Sequence, residues 1–215
     1  LADPHTVPPE HEAHFTETIW RLPDTRMCFT PPREVVPVSA LPALASGHIT
    51  FGCFNHLGKI NDTVIATWSR ILHRVPGSRL FLKTKQLAGE AARNRVTHAL
   101  AAHGISSDRL LLEGGSPRQQ YLETYHRIDM ALDPFPYTGG TTTVESLWMG
   151  VPVLTLAGPN LISRQGLGLL RNAGLPQWVA SDADDYVERA VAFASDLPAL
   201  AALRSQLREQ VLASP

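Results

Sequence analysis

The feature that most constrains the fold is a regular alternation of short apolar runs and amphipathic segments, which begins at His48. The apolar runs are rich in β-branched, aromatic and leucine residues, a composition typical of buried strands. The predicted strands are HITFGCF (48–54), RLFLKT (79–84), DRLLLEG (108–114), IDMALDPF (128–135), VPVLTLA (151–157) and a short sixth, QWVA (177–180).

The segments between these runs carry apolar residues at helical spacing and have recognisable ends. Asn61 or Asp62 is placed to cap the first helix, and Pro76-Gly77 ends it. Ser116 as a cap, followed by Pro117 and Gln119, is the pattern of another helix start. The predicted helices cover 61–75, 87–103, a stretch from 116 onward, 142–149, 163–173, 182–195 and 197–212.

Strand–helix alternation repeated this often predicts an α/β fold, with a doubly wound parallel sheet covered on both faces. Its crossovers are expected to be right-handed. Ligands of such sheets bind at the carboxyl ends of the strands, so the loops that follow the strands are the places to look for chemistry.

Residues 1–47 differ from the rest, because they hold eight of the 17 prolines. That density disfavours long helices and central strands. We therefore predict a Pro-rich connector from a preceding domain over 1–47, with one short helix near Phe15–Trp20. An α/β domain over 48–195 and a C-terminal helix over 196–215 would follow.

The net charge of −1 gives no electrostatic reason to expect nucleic acid or an anionic membrane as the partner. No apolar run approaches the roughly 20 residues that a membrane-spanning helix requires. The two cysteines, Cys28 and Cys53, fit a reducing compartment, so we expect a cytoplasmic protein. The chain starts without a methionine, and we expect it to be a piece of a longer polypeptide.

The stretch DPFPYTGGTTTVESLWMG, at 133–150, follows the fourth predicted strand and leads into a helix. Glycines allow close backbone approach, and the N–H groups of a helix N-terminus suit an anion. With the hydroxyls of Thr141, Thr142 and Thr143, these features predict a cradle for a phosphate or diphosphate. The alternative is a plain helix start, in which Thr142 and Glu145 form a capping box and Gly139-Gly140 is a turn.

Three further loops are expected to reach the same edge of the sheet. Lys59 follows the first strand and could neutralise phosphate oxygens, with His56 three residues before it. Ser116 and Arg118 stand after the third strand. A further cationic group, in Ser163-Arg164, follows the fifth strand. Each residue alone could be solvated or capping, and it is their convergence that favours a nucleotide-diphosphate site.

Four stretches of the chain are recognisable, namely FGCFNHLGKIND, DMALDPFPYTGGTTTVESLWMGVPVLTLAG, SRQGLGLLRNAGLP and RLPDTRMCFTPP. They closely resemble the C-terminal half of the protein O-linked N-acetylglucosamine transferase family, which includes the SPINDLY-type proteins. The resemblance covers about 48–195 together with part of the connector, and this version of the family looks bacterial.

The resemblance implies a GT-B glycosyltransferase, in which two Rossmann-like domains face each other across a cleft. This chain would be the second of them, the one that binds most of a UDP-sugar donor. It implies an N-terminal GT-B half with helical repeats and a protein acceptor as partners, and neither nucleic acid nor membrane. No cofactor and no metal are expected.

The same resemblance implies roles for individual residues. Lys59 matches the essential lysine at the donor diphosphate and would be catalytic. Thr141 and Thr142 match the threonines at that diphosphate, in the same donor loop as Tyr137 and Gly139.

On the nucleoside side, Glu145 matches an acidic ribose-binding position, and Ser116 and Arg118 match the loop that frames the uracil. Three donor-site positions depart from the animal members of the family. His56 replaces a glutamine, while Gly140 and Tyr121 each replace a histidine. The ribose and sugar contacts are therefore expected to be rearranged.

The implied reaction is inverting transfer of GlcNAc from UDP-GlcNAc to a protein Ser or Thr hydroxyl. Lys59, the threonine hydroxyls and helix-terminal N–H groups would stabilise the leaving diphosphate. Two alternatives stay open: a GDP-fucose-dependent protein O-fucosyltransferase, and a non-catalytic nucleotide-sugar-binding domain.

Overall fold

A computed structural model describes all residues from 1 to 215, and the six predicted strands form one parallel sheet. The strand order is β3-β2-β1-β4-β5-β6, so the chain reverses its direction of winding between β1 and β4. The strands are β1 (Thr50–Cys53), β2 (Arg79–Lys83), β3 (Leu110–Glu113), β4 (Met130–Leu132), β5 (Val153–Leu156) and β6 (Val179–Ala180).

Eight α-helices accompany the sheet, which confirms the doubly wound sheet that the alternation predicted and the Rossmann-like domain that the resemblance implied. The second helix packs beside the third and seventh, while the fifth packs beside the sixth and eighth. No helix is long and apolar enough to span a bilayer. The helices are α1 (Ala43–Ser46), α2 (Asp62–Arg74), α3 (Glu90–Ala101), α4 (Arg118–Glu123), α5 (Thr141–Trp148), α6 (Gln165–Asn172), α7 (Ala183–Ser195) and α8 (Leu197–Leu212).

The helix predicted near Phe15–Trp20 is wrong. A 3₁₀ helix lies earlier, at Pro9–His14, where a proline occupies the first turn. After this helix the chain forms an isolated β-bridge between Ala2 and Arg21 instead of a further helix. In this bridge the N–H of Ala2 donates to the carbonyl of Trp20 (2.9 Å).

Two predicted helix starts also move. The helix expected from Leu87 begins at Glu90, because Lys85–Ala88 forms a separate 3₁₀ turn. Ser116 does not cap α4: the residue before that helix is Pro117, no side chain caps it, and the Ser116 hydroxyl is buried without a partner.

The segment before the sheet packs against the body of the molecule. Val36, Leu41 and Ala43 are buried and belong to the same core cluster as the strands. The predicted division at residues 47 and 195 stays a prediction.

One buried arginine links this segment to the C-terminal helix. Arg204 of α8 is 1% exposed and donates to the carbonyls of Ser39 (2.8 Å), Ile128 (2.9 Å) and Tyr125 (3.1 Å). A fourth bond goes to the Ser39 hydroxyl (3.0 Å). The side chain therefore joins three parts of the chain that are far apart in sequence.

Candidate active site

The switch point between β1 and β4 opens a crevice at the carboxyl edge of the sheet, which is where doubly wound folds bind ligands. Two loops border it, one following β1 and the other leading from β4 into α5. Together they bring Lys59 and the Gly-Gly-Thr-Thr-Thr stretch to one place, as the sequence predicted.

Lys59 ends a 3₁₀ turn, Leu57–Lys59, and reaches across to the second loop. Its Nζ donates to Asn55 Oδ1 (3.1 Å) and to the carbonyl of Thr138 (3.0 Å), and it lies 4.0 Å from the centre of the Tyr137 ring. Partial burial lowers the pKa of the amine from its ordinary value, against the opposing effect of the carboxylate of Asp133. These contacts are all with uncharged groups. They hold the ammonium group of Lys59 at the crevice and leave it able to bind an anion there.

The N-terminus of α5 provides donors without acceptors. Gly140 precedes the helix and no side chain caps it. The backbone N–H groups of Gly140, Thr141 and Thr142 find no acceptor within the protein. The Thr142 hydroxyl donates to Asn55 Oδ1 (3.1 Å), the same atom that Lys59 contacts. The geometry suits an anion, since several donors converge on one point.

The capping-box alternative for this helix is wrong. The helix begins at Thr141 rather than after Thr142, so Glu145 is too far along it to reach back to its start. The Glu145 carboxylate instead accepts from Arg118 Nη1 (2.6 Å) and from the Tyr121 hydroxyl (3.0 Å).

Those three residues border a second recess beside the crevice. Its volume is about 430 Å³, and its lining includes Phe54, Ser116 and Lys85 as well as Arg118, Tyr121 and Glu145. The Glu145 side chain is only 7% exposed, whereas that of Arg118 is 40% exposed. Burial, together with the adjacent carboxylate, raises the pKa of Tyr121, so its hydroxyl stays protonated and donates. The residues predicted to bind the nucleoside thus lie together, and the carboxylate of Glu145 is already paired with Arg118.

His56 and Ser163 are engaged in local hydrogen bonds, whereas Arg164 is bonded to the N-terminal segment. Nδ1 of His56 accepts from the N–H of Gly58 (3.0 Å), and Nε2 of the same ring contacts the side-chain amide of Gln86. Ser163 exchanges hydrogen bonds with Asn160, and Arg164 Nε donates to the carbonyl of His5 (2.7 Å). No group of three or more His, Cys, Asp or Glu side chains forms a metal-binding cluster. The expectation that the reaction needs no metal stays a prediction.

Two polar residues at the crevice were missed by sequence reasoning. Asn55 is 7% exposed and joins Lys59 to Thr142. Asp133 is 1% exposed and accepts from the N–H of Gly139 (2.7 Å) and from the Thr155 hydroxyl (2.8 Å). Burial raises the pKa of Asp133 to about 6. A signal was present, because each of the two follows one of the strands that flank the switch point.

Comparison with known proteins identifies a family model and several curated proteins to which this chain is similar. The model of glycosyl transferase family 41 matches residues 30–215. Among curated proteins, the chain is similar to the probable UDP-N-acetylglucosamine–peptide N-acetylglucosaminyltransferases SPINDLY of Petunia hybrida and Arabidopsis thaliana. Each is 41% identical over 216 residues. The whole chain is matched, but it spans only 23% and 24% of the length of those relatives.

Solved structures show the same relationship. A mutant of the Thermobaculum terrenum O-GlcNAc transferase aligns with a TM-score of 0.90 at 38% identity, over 99% of this chain and 40% of that one. Anabaena HepE, in complex with UDP and glucose, aligns with a TM-score of 0.56 at 14% identity, over 80% of this chain and 47% of that one. The second likeness is one of fold alone.

Proposed function

The chain belongs to glycosyl transferase family 41, and on that premise we propose that it is the donor-binding half of a glycosyltransferase. The observation that carries the proposal is the convergence at the switch point of Lys59 Nζ, the Thr142 hydroxyl and the unpaired N–H groups that begin α5. A cation, a hydroxyl and a helix N-terminus form a site for the diphosphate of a nucleotide sugar.

In this proposal Lys59 exchanges its contacts with Asn55 and Thr138 for oxygens of the diphosphate. Charge builds on those oxygens as the glycosidic bond breaks, and donors fixed in advance stabilise charge best where it develops. Lys59 is therefore the catalytic residue of this half, and Thr141 and Thr142 share the diphosphate with it.

The nucleoside is assigned to the recess of about 430 Å³ beside the diphosphate site. Glu145 would accept from the ribose hydroxyls, as acidic residues do in other nucleotide sites. In the structure this carboxylate forms an ion pair with Arg118. When the nucleoside binds, Arg118 must either move away from Glu145 or contact the nucleoside as well. Ser116 has a buried hydroxyl without a partner, and a base edge could provide one.

For the reaction, we propose inverting transfer of GlcNAc from UDP-GlcNAc to a protein Ser or Thr hydroxyl. The SPINDLY relatives are named probable UDP-N-acetylglucosamine–peptide N-acetylglucosaminyltransferases, and the Thermobaculum enzyme is an O-GlcNAc transferase, which supports this reaction. An N-terminal half, carrying helical repeats and the acceptor side of the cleft, would complete the enzyme. The GDP-fucose alternative depends on contacts of the base, which the experiment below separates.

The test is calorimetric binding of UDP, GDP, UDP-GlcNAc and GDP-fucose to the complete protein. We expect UDP-GlcNAc to bind, and Lys59→Ala to weaken its binding by about tenfold or more, since a hydrogen bond between charged groups is lost. Arg95→Ala is the matched control, because it removes one exposed positive charge from α3, away from the crevice.

Each result has a distinct meaning. Failure of all four ligands to bind would refute the donor-site proposal. Tighter binding of GDP and GDP-fucose would replace GlcNAc transfer with fucosyl transfer. Turnover that is unchanged in Lys59→Ala would remove Lys59 from catalysis. Binding without any turnover in the wild type would favour a domain that binds nucleotide sugars without reacting.

A further inference from the structure

A buried carboxylate lies directly behind the proposed diphosphate site. Asp133 has three donors, namely the Gly139 N–H (2.7 Å), the Thr155 hydroxyl (2.8 Å) and, at a longer 3.5 Å, the Asn55 amide. None of these donors is charged, and no lysine or arginine forms an ion pair with it. A carboxylate buried on such terms weakens a fold more than a neutral residue would, so its position calls for an explanation beyond packing.

Asn55 stands between this carboxylate and the groups that face the crevice. Its Oδ1 accepts from Lys59 Nζ and from the Thr142 hydroxyl, both at 3.1 Å, while its Nδ2 faces Asp133. A carboxylate only accepts hydrogen bonds, so it requires the NH₂ side of the amide to face it. The oxygen of Asn55 is thereby turned toward Lys59 and Thr142.

The third donor to Asp133 fixes the loop itself. The bond from the Gly139 N–H stands one residue before the unpaired N–H groups that begin α5. A Cβ atom on Gly139 would lie 3.0 Å from Asp133 Oδ1 and 2.8 Å from the Thr142 hydroxyl, so the loop packs closely against both side chains at this point. One carboxylate thus orients the amide, the lysine, the hydroxyl and the helix start together.

We propose that Asp133 and Asn55 are positioning residues of the donor site: Asp133 fixes the Asn55 amide and the Gly139 loop, and Asn55 in turn aims Lys59 and Thr142 at the diphosphate. This inference rests on the proposed function. It assigns a role to two residues that do not themselves neutralise the ligand.

Charge and positioning predict opposite results for one substitution. Asp133→Asn removes a negative charge close to an anion site, and by Coulomb's law alone it tightens the binding of a diphosphate. If Asp133 acts by orientation, the same change weakens binding, because an asparagine can present an NH₂ group where Gly139 and Asn55 need an acceptor. The direction of the change therefore decides between the two.

The experiment measures UDP-GlcNAc affinity by calorimetry in the complete protein, for variants shown by circular dichroism to be folded. We expect Asp133→Asn and Asn55→Ala each to weaken binding by about tenfold, the loss typical of a hydrogen bond that serves a charged group. Their effects should add only in part in the double variant, because both act through the Asn55 amide while Asp133 alone also holds the Gly139 loop.

Asp129→Asn is the matched control. Asp129 lies at the other end of β4, is fully buried, and accepts from the N–H groups of Ala43 and Thr50, both at 2.8 Å. Its replacement also removes a buried acid that holds backbone, but it does so at the edge of the sheet away from the crevice. We expect stability to fall and the affinity for UDP-GlcNAc to stay at the wild-type value.

The affinity for UDP-GlcNAc measured as a function of pH is a second test, because a purely structural role of Asp133 would not change that profile. UDP-GlcNAc has no group that titrates near pH 6, so it serves as the probe. The groups that face Asp133 are Lys59, Cys53 of β1 and Tyr186 of α7. We expect wild-type affinity to fall as the pH is lowered through about 6, where Asp133 takes up a proton. Asp133→Asn should lack that step.

Tighter or unchanged binding in Asp133→Asn, or wild-type binding in Asn55→Ala, would overturn the inference and leave the proposed function standing. If Asp133→Asn does not fold, Asn55→Ala decides, since it keeps the carboxylate in place. If the wild-type protein binds no nucleotide sugar, the proposed function fails first and the inference fails with it.

Discussion

Asp133 and Lys59 show what burial does to charge at the scale of single residues. Burial raises the pKa of the acid to about 6 and lowers the pKa of the amine, so both shifts favour the neutral forms. Each charge also limits the shift of the other, because the two are opposite in sign and separated only by Asn55. The crevice therefore holds a charge pair without direct contact.

The raised pKa of Asp133 predicts the sign of a stability change with pH. An acid with a folded-state pKa near 6 and an ordinary value of 3.8 holds its proton more tightly in the folded chain. Its contribution is present below pH 3.8 and is lost as the pH rises through about 6. Relative to Asp133→Asn, the wild type should lose on the order of 2 to 3 kcal/mol of unfolding free energy over that range.

Urea unfolding at several pH values, followed by tryptophan fluorescence, measures this difference. Subtracting the Asp133→Asn curve removes the contributions of other titrating groups and any fixed cost of the substitution. Parallel pH curves for the two proteins would mean that Asp133 has an ordinary pKa and is not buried as described.

At the scale of elements, the start of α5 is also the proposed ligand site, and the two adjacent glycines before it have different surroundings. A Cβ on Gly139 would lie 2.5 Å from the Thr143 hydroxyl and 2.8 Å from the Thr142 hydroxyl. A Cβ on Gly140 would meet only Met27 Cε at 3.3 Å and Gln165 Oε1 at 3.7 Å. Gly139 is required because the threonine hydroxyls of α5 leave no space for a side chain there. Gly140 faces only two flexible side chains.

Gly139→Ala and Gly140→Ala are therefore expected to differ sharply. Gly139→Ala forces the loop away from α5, and we expect a loss of roughly 1–3 kcal/mol in unfolding free energy, as for an overpacked site. It should also abolish detectable binding of UDP-GlcNAc. Gly140→Ala should keep the unfolding free energy close to wild type, because the added Cβ meets only two flexible side chains. Equal losses of unfolding free energy for the two substitutions in urea unfolding, or wild-type binding of UDP-GlcNAc by Gly139→Ala in calorimetry, would contradict this account of the loop.

At the scale of the whole molecule, Arg204 joins the two ends of the chain to the sheet. Its four hydrogen bonds tie α8 to Ser39 before the sheet and to the segment between Tyr125 and Ile128 that enters β4. Burial lowers the pKa of the guanidinium to about 10, so it remains charged at neutral pH. This arginine makes the proline-rich segment and the C-terminal helix depend on each other.

Arg204→Met keeps much of the buried volume and removes every one of these bonds. We expect a loss of about 3 kcal/mol in unfolding free energy, because buried acceptors are left without donors. Arg95→Met on the exposed side of α3 is the control and should have little effect. Urea unfolding tests both. Wild-type stability of Arg204→Met would show that the ends of the chain are held by apolar packing alone.

The strands and most of the helices followed from periodicity, and the switch-point site followed from where strands end. The failures were local. A backbone bridge between Ala2 and Arg21 replaces the helix expected near Phe15–Trp20. Ser116 does not cap α4, because Pro117 stands before the helix and the Ser116 hydroxyl is buried without a partner. Both depend on contacts between segments that a reading of neighbouring residues does not contain.

By itself, the sequence determined an α/β sheet, the convergence of Lys59 with the Gly-Gly-Thr-Thr-Thr loop, and the resemblance to a transferase family that the comparisons confirmed. These follow from spacing and residue type, which are properties of the chain in order. Only the tertiary structure decided that Asn55 joins Lys59 to Thr142, that Asp133 lies buried behind them, and that Glu145 pairs with Arg118. The partners in each case come from different loops or elements, and their distances exist only once the sheet has brought the loops together.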